Sequence, residues 1–203
     1  MKNSLFALFI SMLFFTFVNG ANEISLVKFY QHYSHIDLIQ QIESNGDFNG
    51  FVAQFLMDDN TPIDEKAAVI NAFIGNNAKG NIAETYKQFI ARQYKEDFTN
   101  LNLEKLNGEE LFILGYLTLI DDKGNPEKAL PILEKANTRL TNSSTINTIL
   151  SLAKAQQASD TGDNCLAWKT IESSTGAPLN NDLDQQVIDI IVSETNNLKS
   201  ACE

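Results

Sequence analysis

Four short turns of one form divide this chain. They are Gly46-Asp47, Gly80-Asn81, Gly124-Asn125 and Gly162-Asp163, spaced by 34, 44 and 38 residues. Each joins the residue that most readily takes a left-handed helix C-cap to one whose side chain can cap a following helix. Apolar residues keep register with these turns. Val52, Tyr86, Leu130 and Trp168 stand six positions after the glycine, and Phe55, Phe89, Leu133 and Ile171 stand nine after. Ile36, Ile70, Leu114 and Leu152 stand ten before. The pattern predicts a helix–turn–helix unit repeated four times, then one extra helix. A single hairpin cannot bury its apolar face alone, so neighbouring units must stack.

Glu109–Arg139 is the clearest unit: two amphipathic helices joined by Gly124-Asn125-Pro126. Ala129, and its counterpart Ala167, are small enough to let paired helices approach closely. Elsewhere the spacing predicts a short helical segment at 23–33 and a helix capped by Ser34 or Asp37 and running through Ser44. Phe48, Phe51, Val52, Phe55 and Leu56 form a helical stripe. Thr61-Pro62, followed by Asp64 and Glu65, starts a helix that runs to about Ile74. Further helices are expected from Ile82 to around Asp97, from Ile146 to about Ala158 and from Cys165 to Ser173. The last is expected over roughly Asp182–Leu198, covering the open end of the stack. No segment reads as a strand.

Leu114-Gly115-Tyr116 in a first helix is followed in a second by Asn125-Pro126-Glu127-Lys128-Ala129-Leu130 and Leu133-Glu134-Lys135-Ala136. This resembles the tetratricopeptide-repeat family. The resemblance implies an all-α, TPR-like α-solenoid of about four stacked antiparallel hairpins with a C-terminal capping helix. It also implies a concave surface that binds a protein or peptide partner. The signature falls on Gly115, Tyr116, Gly124, Ala129, Leu130, Ala136, Gly162, Ala167 and Trp168. The period drifts from the family's usual length, and the first helices are short of the basic residues that the family's carboxylate clamp uses. The alternative is an irregular all-α bundle joined by Gly-Asn/Asp turns.

Residues 1–20 have the grammar of a secretory leader. Lys2 precedes an apolar run of 14 residues, Leu5–Val18, too short for a comfortable bilayer span. Val18 and Gly20 suit the −3 and −1 positions of a cleavage site before Ala21. Residues 21–203 are then read as one all-α domain, secreted or periplasmic, with no membrane span after leader removal. Asp and Glu outnumber Lys and Arg by 26 to 15, giving a net charge of −11. That charge disfavours nucleic acid and anionic membrane surfaces and suits a basic or apolar partner.

Cys165 and Cys202 are the only cysteines. In an oxidising compartment such a pair is expected to form a disulfide. A straight last helix would carry Cys202 past Cys165 by roughly 15 Å. For the bond to close, the tail after Asn196-Asn197 must therefore fold back, or the hinge near Pro178 must sit later in the chain.

Other candidates carry less chemistry. His32 and His35 lack a third ligand at motif spacing. Asp58-Asp59-Asn60 and Asp121-Asp122 do not match a calcium loop and read as solvated turns. Trp168 sits at an apolar repeat position and reads as core. Asn142-Ser143-Ser144 is a glycosylation sequon. Recognisable catalytic motifs are missing, so neither catalysis nor a cofactor or metal is expected. The expected function is an exported binding scaffold. The alternatives are an exported small-ligand or glycan-binding protein or enzyme, and a structural subunit of an envelope assembly.

Overall fold

The structure, a computed structural model, describes residues 23–75, 81–177 and 179–203. The expected leader, Gly80 and Pro178 lie outside the described residues. Within them the regular elements are helical, and the one β-type contact is an isolated bridge between Ser143 and Asn180. The α-helices are α1 Asp37–Asn45, α2 Gly50–Met57, α3 Ile63–Gly75, α4 Ile82–Tyr94, α5 Gly108–Asp121, α6 Leu130–Arg139, α7 Ser144–Asp160, α8 Asn164–Thr175 and α9 Gln185–Thr195. Short 3-10 helices occupy Ile24–Leu26, Tyr30–Tyr33, Phe98–Asn100 and Asn196–Cys202.

The turn chemistry is local and mostly as the residues dictate. Gly46, Gly124 and Gly162 all have positive φ, of 69°, 84° and 87°, a conformation that costs glycine little. Asn81 accepts from the Glu84 N–H and Asp163 from the Leu166 N–H, capping α4 and α8. Two of the expected caps differ. Asn49, not Asp47, caps α2, because the chain runs on extended for several residues after Gly46. Asn125 accepts from the Glu127 N–H and opens a turn before α6. Asn107 and Glu110 form a reciprocal capping box at the start of α5.

The helices pack in a definite order. α1 lies on α3, α3 on α5 and α5 on α7; α2 packs on α3, α4 on α5 and α6 on α7. The closest antiparallel pairs are α5 with α6 and α7 with α8, the two units whose turn glycines are Gly124 and Gly162. The two earlier units differ from the expected hairpin. There the main contacts of α3 are with α1 and α5, and those of α4 are with α5. α3, α5 and α7 are buried nearly all round, with Ala67–Phe73 and Leu111–Leu117 wholly inside. Phe51 departs from its stripe and is 72% exposed, since α2 turns only Val52, Ala53 and Leu56 inward.

Small residues set the approach of α5 to α6. Ala129 and Ala136 are fully buried. A Cβ at Gly115 would stand 2.9 Å from two side-chain atoms of Leu133 and 3.2 Å from its backbone nitrogen. Gly115→Ala therefore sets a helix-propensity gain of about 1 kcal/mol against an overpacking cost of about 1–3 kcal/mol. The backbone atom cannot step aside as a side chain can, so the variant is expected to be less stable in thermal denaturation. A Tm equal to or above that of the parent would show that α6 can shift freely.

The chain end corrects the expected capping helix. α9 stops at Thr195, and Asn196–Cys202 continues as a 3-10 helix that lies along α8. This change of course brings Cys202 back to Cys165, and the two form a disulfide with Cα atoms 4.8 Å apart. Leu198 is buried and the Lys199 ammonium lies 5.9 Å from the Trp168 ring centroid. Asp182 ties the start of α9 to α7, accepting from the Thr145 N–H at 3.0 Å and the Ser144 hydroxyl at 2.6 Å.

Candidate functional site

Two surfaces meet on α5, on opposite sides of it. Residues two apart on a helix project roughly 200° apart, so Tyr116 faces away from Leu114 and Thr118.

On the Tyr116 side, the row of α3, α5 and α7 is covered by the chain's own residues 24–33. The 3-10 turn Ile24–Leu26 lies on α7 and the turn Tyr30–Tyr33 lies on α3. Ile24, Val27, Phe29, Tyr30 and Tyr33 are all buried. The central contact is Asn71 of α3, which is 0% exposed. Its Oδ1 accepts from the Phe29 and Tyr30 N–H groups at 2.8 and 3.0 Å. Its Nδ2 donates to the Val27 carbonyl at 2.9 Å and to the Tyr116 hydroxyl oxygen at 2.7 Å. Both donors and both acceptor sites of the amide are thus in use. Gln156 of α7 accepts from the Ser25 N–H, and the Ser25 hydroxyl donates to the Gly124 carbonyl. The Tyr33 hydroxyl donates to Asp64, and His32 Nε2 lies 3.2 Å from Asp184 at the start of α9. Burial pushes the Tyr33 and Tyr116 phenols well above their ordinary range.

On the opposite side of α5, a cleft of about 560 Å³ opens between α4, α6 and the connection after α4. Leu101, Leu103, Leu114 and Ile132 give it an apolar floor, and Glu84, Lys87, Asp121, Asp122 and Lys128 give it charge. Asp121 fixes its geometry. The carboxylate accepts from the Ile82 and Ala83 N–H groups at 3.1 and 2.8 Å, pinning the start of α4 to the end of α5. Burial raises its pKa against the lowering effect of those two N–H groups. The other charges are paired within the cleft: Lys128 Nζ lies 3.0 Å from Asp122, and Lys87 Nζ lies 3.9 Å from Glu84. Lys128 is exposed and open to a partner, whereas Asp122 is partly buried.

Between α3, α4 and α5 lies a third polar group. Lys66, 1% exposed, donates to Glu109 at 2.6 Å. Glu110 accepts from the Tyr94 hydroxyl at 2.9 Å and the Asn107 N–H at 2.7 Å. Lys66–Glu109 ties α3 to α5 and Tyr94–Glu110 ties α4 to α5, while the Asn107 contact belongs to the α5 capping box.

Of the residues singled out in the sequence, Ala129, Leu130, Ala136, Ala167 and Trp168 are buried, and Gly115 stands against Leu133 of α6. Gly124 also receives the N-terminal segment: a Cβ there would stand 2.7 Å from the Ser25 hydroxyl. Gly162 makes its turn in open space. His35 lies against the Tyr33 ring, apart from the His32–Asp184 contact. Asp58 accepts from Asn60 in a surface turn, as expected. Asp121 corrects the expectation for its pair, being a half-buried cap and not a solvated turn residue. Tyr30, Tyr33 and Trp168, whose exposure would have suited a glycan, are buried. Among the described residues, three or more His, Cys, Asp or Glu side chains nowhere gather as a metal site, and no helix is long and apolar enough to cross a membrane.

Sequence reasoning missed Asn71, Gln156 and the groove role of residues 24–33. One signal was present: Asn71 interrupts the run Ala67-Ala68-Val69-Ile70 before Ala72-Phe73. A polar residue in a helix apolar all round must find a buried partner. Searches against family models, curated proteins and solved structures give no match for the chain.

Proposed function

We propose that this chain is an exported, TPR-like helical scaffold that binds a protein or peptide partner, and that the cleft between α4 and α6 is its accessible recognition surface. The observation that carries this is the cleft itself: an apolar floor framed by Glu84, Lys87, Asp121, Asp122 and Lys128. Three acids against two lysines suit a segment with an apolar side chain flanked by basic residues. The packing of α1 on α3, α3 on α5 and α5 on α7 supports the stacked-unit reading, with α5/α6 and α7/α8 as its best-formed hairpins. The disulfide and the leader-like start support export. The concave-surface reading is narrowed, because the row of α3, α5 and α7 already holds residues 24–33.

A photo-crosslinking residue at Ile132 or Leu103 tests this in the native host. The expected result is a discrete protein adduct at both positions and none from the same group at Thr170 on α8. Glu84→Gln combined with Asp122→Asn is expected to weaken capture roughly thirtyfold, the two charge contacts contributing on the order of 1 kcal/mol each. The cleft volume also falls within the range of small-ligand pockets. A rise in Tm with a small molecule, and no protein adduct at either cleft position, would replace the scaffold by that second reading.

A further inference from the structure

The cleft between α4 and α6 is polarised along its length. Asp121 accepts from the first N–H groups of α4, so the start of α4 lies at the end of α5. Asn81, Glu84, Asp121, Asp122 and Lys128 belong to that end. The other end is bounded by the connection after α4. Glu104 of that connection pairs with Lys135 and Arg139 in the second half of α6. Leu101 and Leu103 are thereby set beside Leu114 and Ile132, on the apolar part of the floor. Leu114 and Asp121 are seven residues apart on α5, roughly 10 Å at the helical rise.

The charges at the polar end differ in freedom. Asp121 gives one oxygen to the Ile82 N–H and the other to the Ala83 N–H, and those bonds fix its place. Among the described residues, Asp122 has one ion-pair partner. Lys128 Nζ lies 3.1 Å from its Oδ1 and 3.0 Å from its Oδ2. The pair is lopsided: the Lys128 side chain is 73% exposed and that of Asp122 only 23%. Little packing holds the lysine stem, so its ammonium can return to water. The carboxylate cannot follow. The Asp122 N–H is bonded to the Thr118 carbonyl, and its own carbonyl accepts from the Asn125 N–H. Left alone, a partly buried carboxylate beside Asp121 calls for another cation.

We propose, resting on the reading of this cleft as a recognition surface for a protein or peptide, that Lys128 stands in for the partner. It occupies on Asp122 the place that a lysine or arginine of the bound segment takes. An apolar side chain of the same segment then lies on Leu103, Leu114 and Ile132. Asp122 is paired before and after binding, and the new pair is stronger because the bound segment covers it from water. An anionic segment meets Asp121 and Asp122 and has no cation to exchange.

The probe is a synthetic peptide with one phenylalanine and a lysine two residues to either side, a spacing of roughly 7 Å in an extended chain. Its counterpart carries norleucine in place of both lysines. Each is titrated onto the disulfide-bonded chain, and binding is read from the methyl resonances of Leu103 and Ile132. Lys128→Ala is expected to bind the lysine peptide about threefold more tightly, as removal of an exposed competing ion pair predicts, and the norleucine peptide as the parent does. Combined with Asp122→Asn, the same substitution is expected to change neither affinity. An unchanged or weaker affinity of Lys128→Ala for the lysine peptide overturns the proposal. So does a gain that survives Asp122→Asn, which would reflect net charge alone. Either result leaves the recognition surface standing as long as the methyl resonances shift. If neither peptide moves them, the reading of the cleft falls and the proposal falls with it.

Discussion

Replacing Asn71 by leucine is expected to lower the unfolding free energy by about 4 kcal/mol. The volume is nearly kept, so packing is not the cause. The change strands two N–H groups, on Phe29 and Tyr30, and the Val27 carbonyl, and it removes the donor to Tyr116. Each stranded group costs about 1–3 kcal/mol if it stays buried. The segment has another course, which is to leave the groove and be hydrated. That forfeits the burial of Ile24, Val27, Phe29 and Tyr30, at about 1.5–3 kcal/mol each. Both routes are expensive, and they separate experimentally. Urea denaturation reads the total, while limited proteolysis of residues 23–33 rises only in the second. Asn71→Asp sharpens the test through pH. A buried Asp at this position keeps the acceptors but cannot donate to Val27 unless protonated, so its folded pKa is raised above the unfolded value. Its stability is then best at low pH and falls as pH rises through the folded pKa, whereas the leucine variant follows the parent's pH profile. A leucine variant within 1 kcal/mol of the parent would mean that Asn71 does not hold the segment in its groove.

The contrast between Asn71 and Gly124 shows what the sequence could reveal. Gly124, Gly46 and Gly162 were legible because a left-handed C-cap is decided by neighbours in the chain. So were α5 and α6, whose apolar periodicity and small residues act within one hairpin. The cleft was not legible, because Asp121 reaches α4 from 38 residues away. Its sequence setting, Asp121-Asp122 before a lysine and a glycine, is that of an ordinary polar turn. Residues 23–33 read as one more helix since their aromatic spacing is compatible with it. What decides otherwise is the set of polar groups waiting on α3 and α7, and nothing local encodes that. The course of the tail stands between the two cases. The cysteine pair called for either folding back after Asn196-Asn197 or a later hinge, yet the helix-like composition through Leu198 argued for a straight run.

Opening the Cys165–Cys202 bond, by Cys165→Ala with Cys202→Ala, is expected to cost about 4 kcal/mol if the bond acts through the chain entropy of a loop this long. The bond spans 37 positions and closes α8, α9 and the 3-10 tail into one loop. Its loss frees the unfolded chain and also unlatches the tail in the folded one. Leu198 is the tail's one buried side chain, so little apolar burial remains to hold Asn196–Cys202 on α8 once the bond is gone. Local release should therefore precede global unfolding. The chain has a single tryptophan, and Trp168 lies under the Lys199 ammonium. Its emission reports on that contact directly. The double variant is expected to show a red-shifted Trp168 signal in buffer while the far-ultraviolet helix signal is nearly unchanged, followed by a main transition at lower urea. Lys199→Ala in the disulfide-bonded chain provides the control: it removes the charge over the ring and leaves the tail in place. An unshifted emission in the cysteine variant, with the midpoint lowered by the full amount, would mean that the bond acts on the unfolded chain alone. A shifted emission with an unchanged midpoint would mean that it acts as a local latch and adds nothing to the cooperative core.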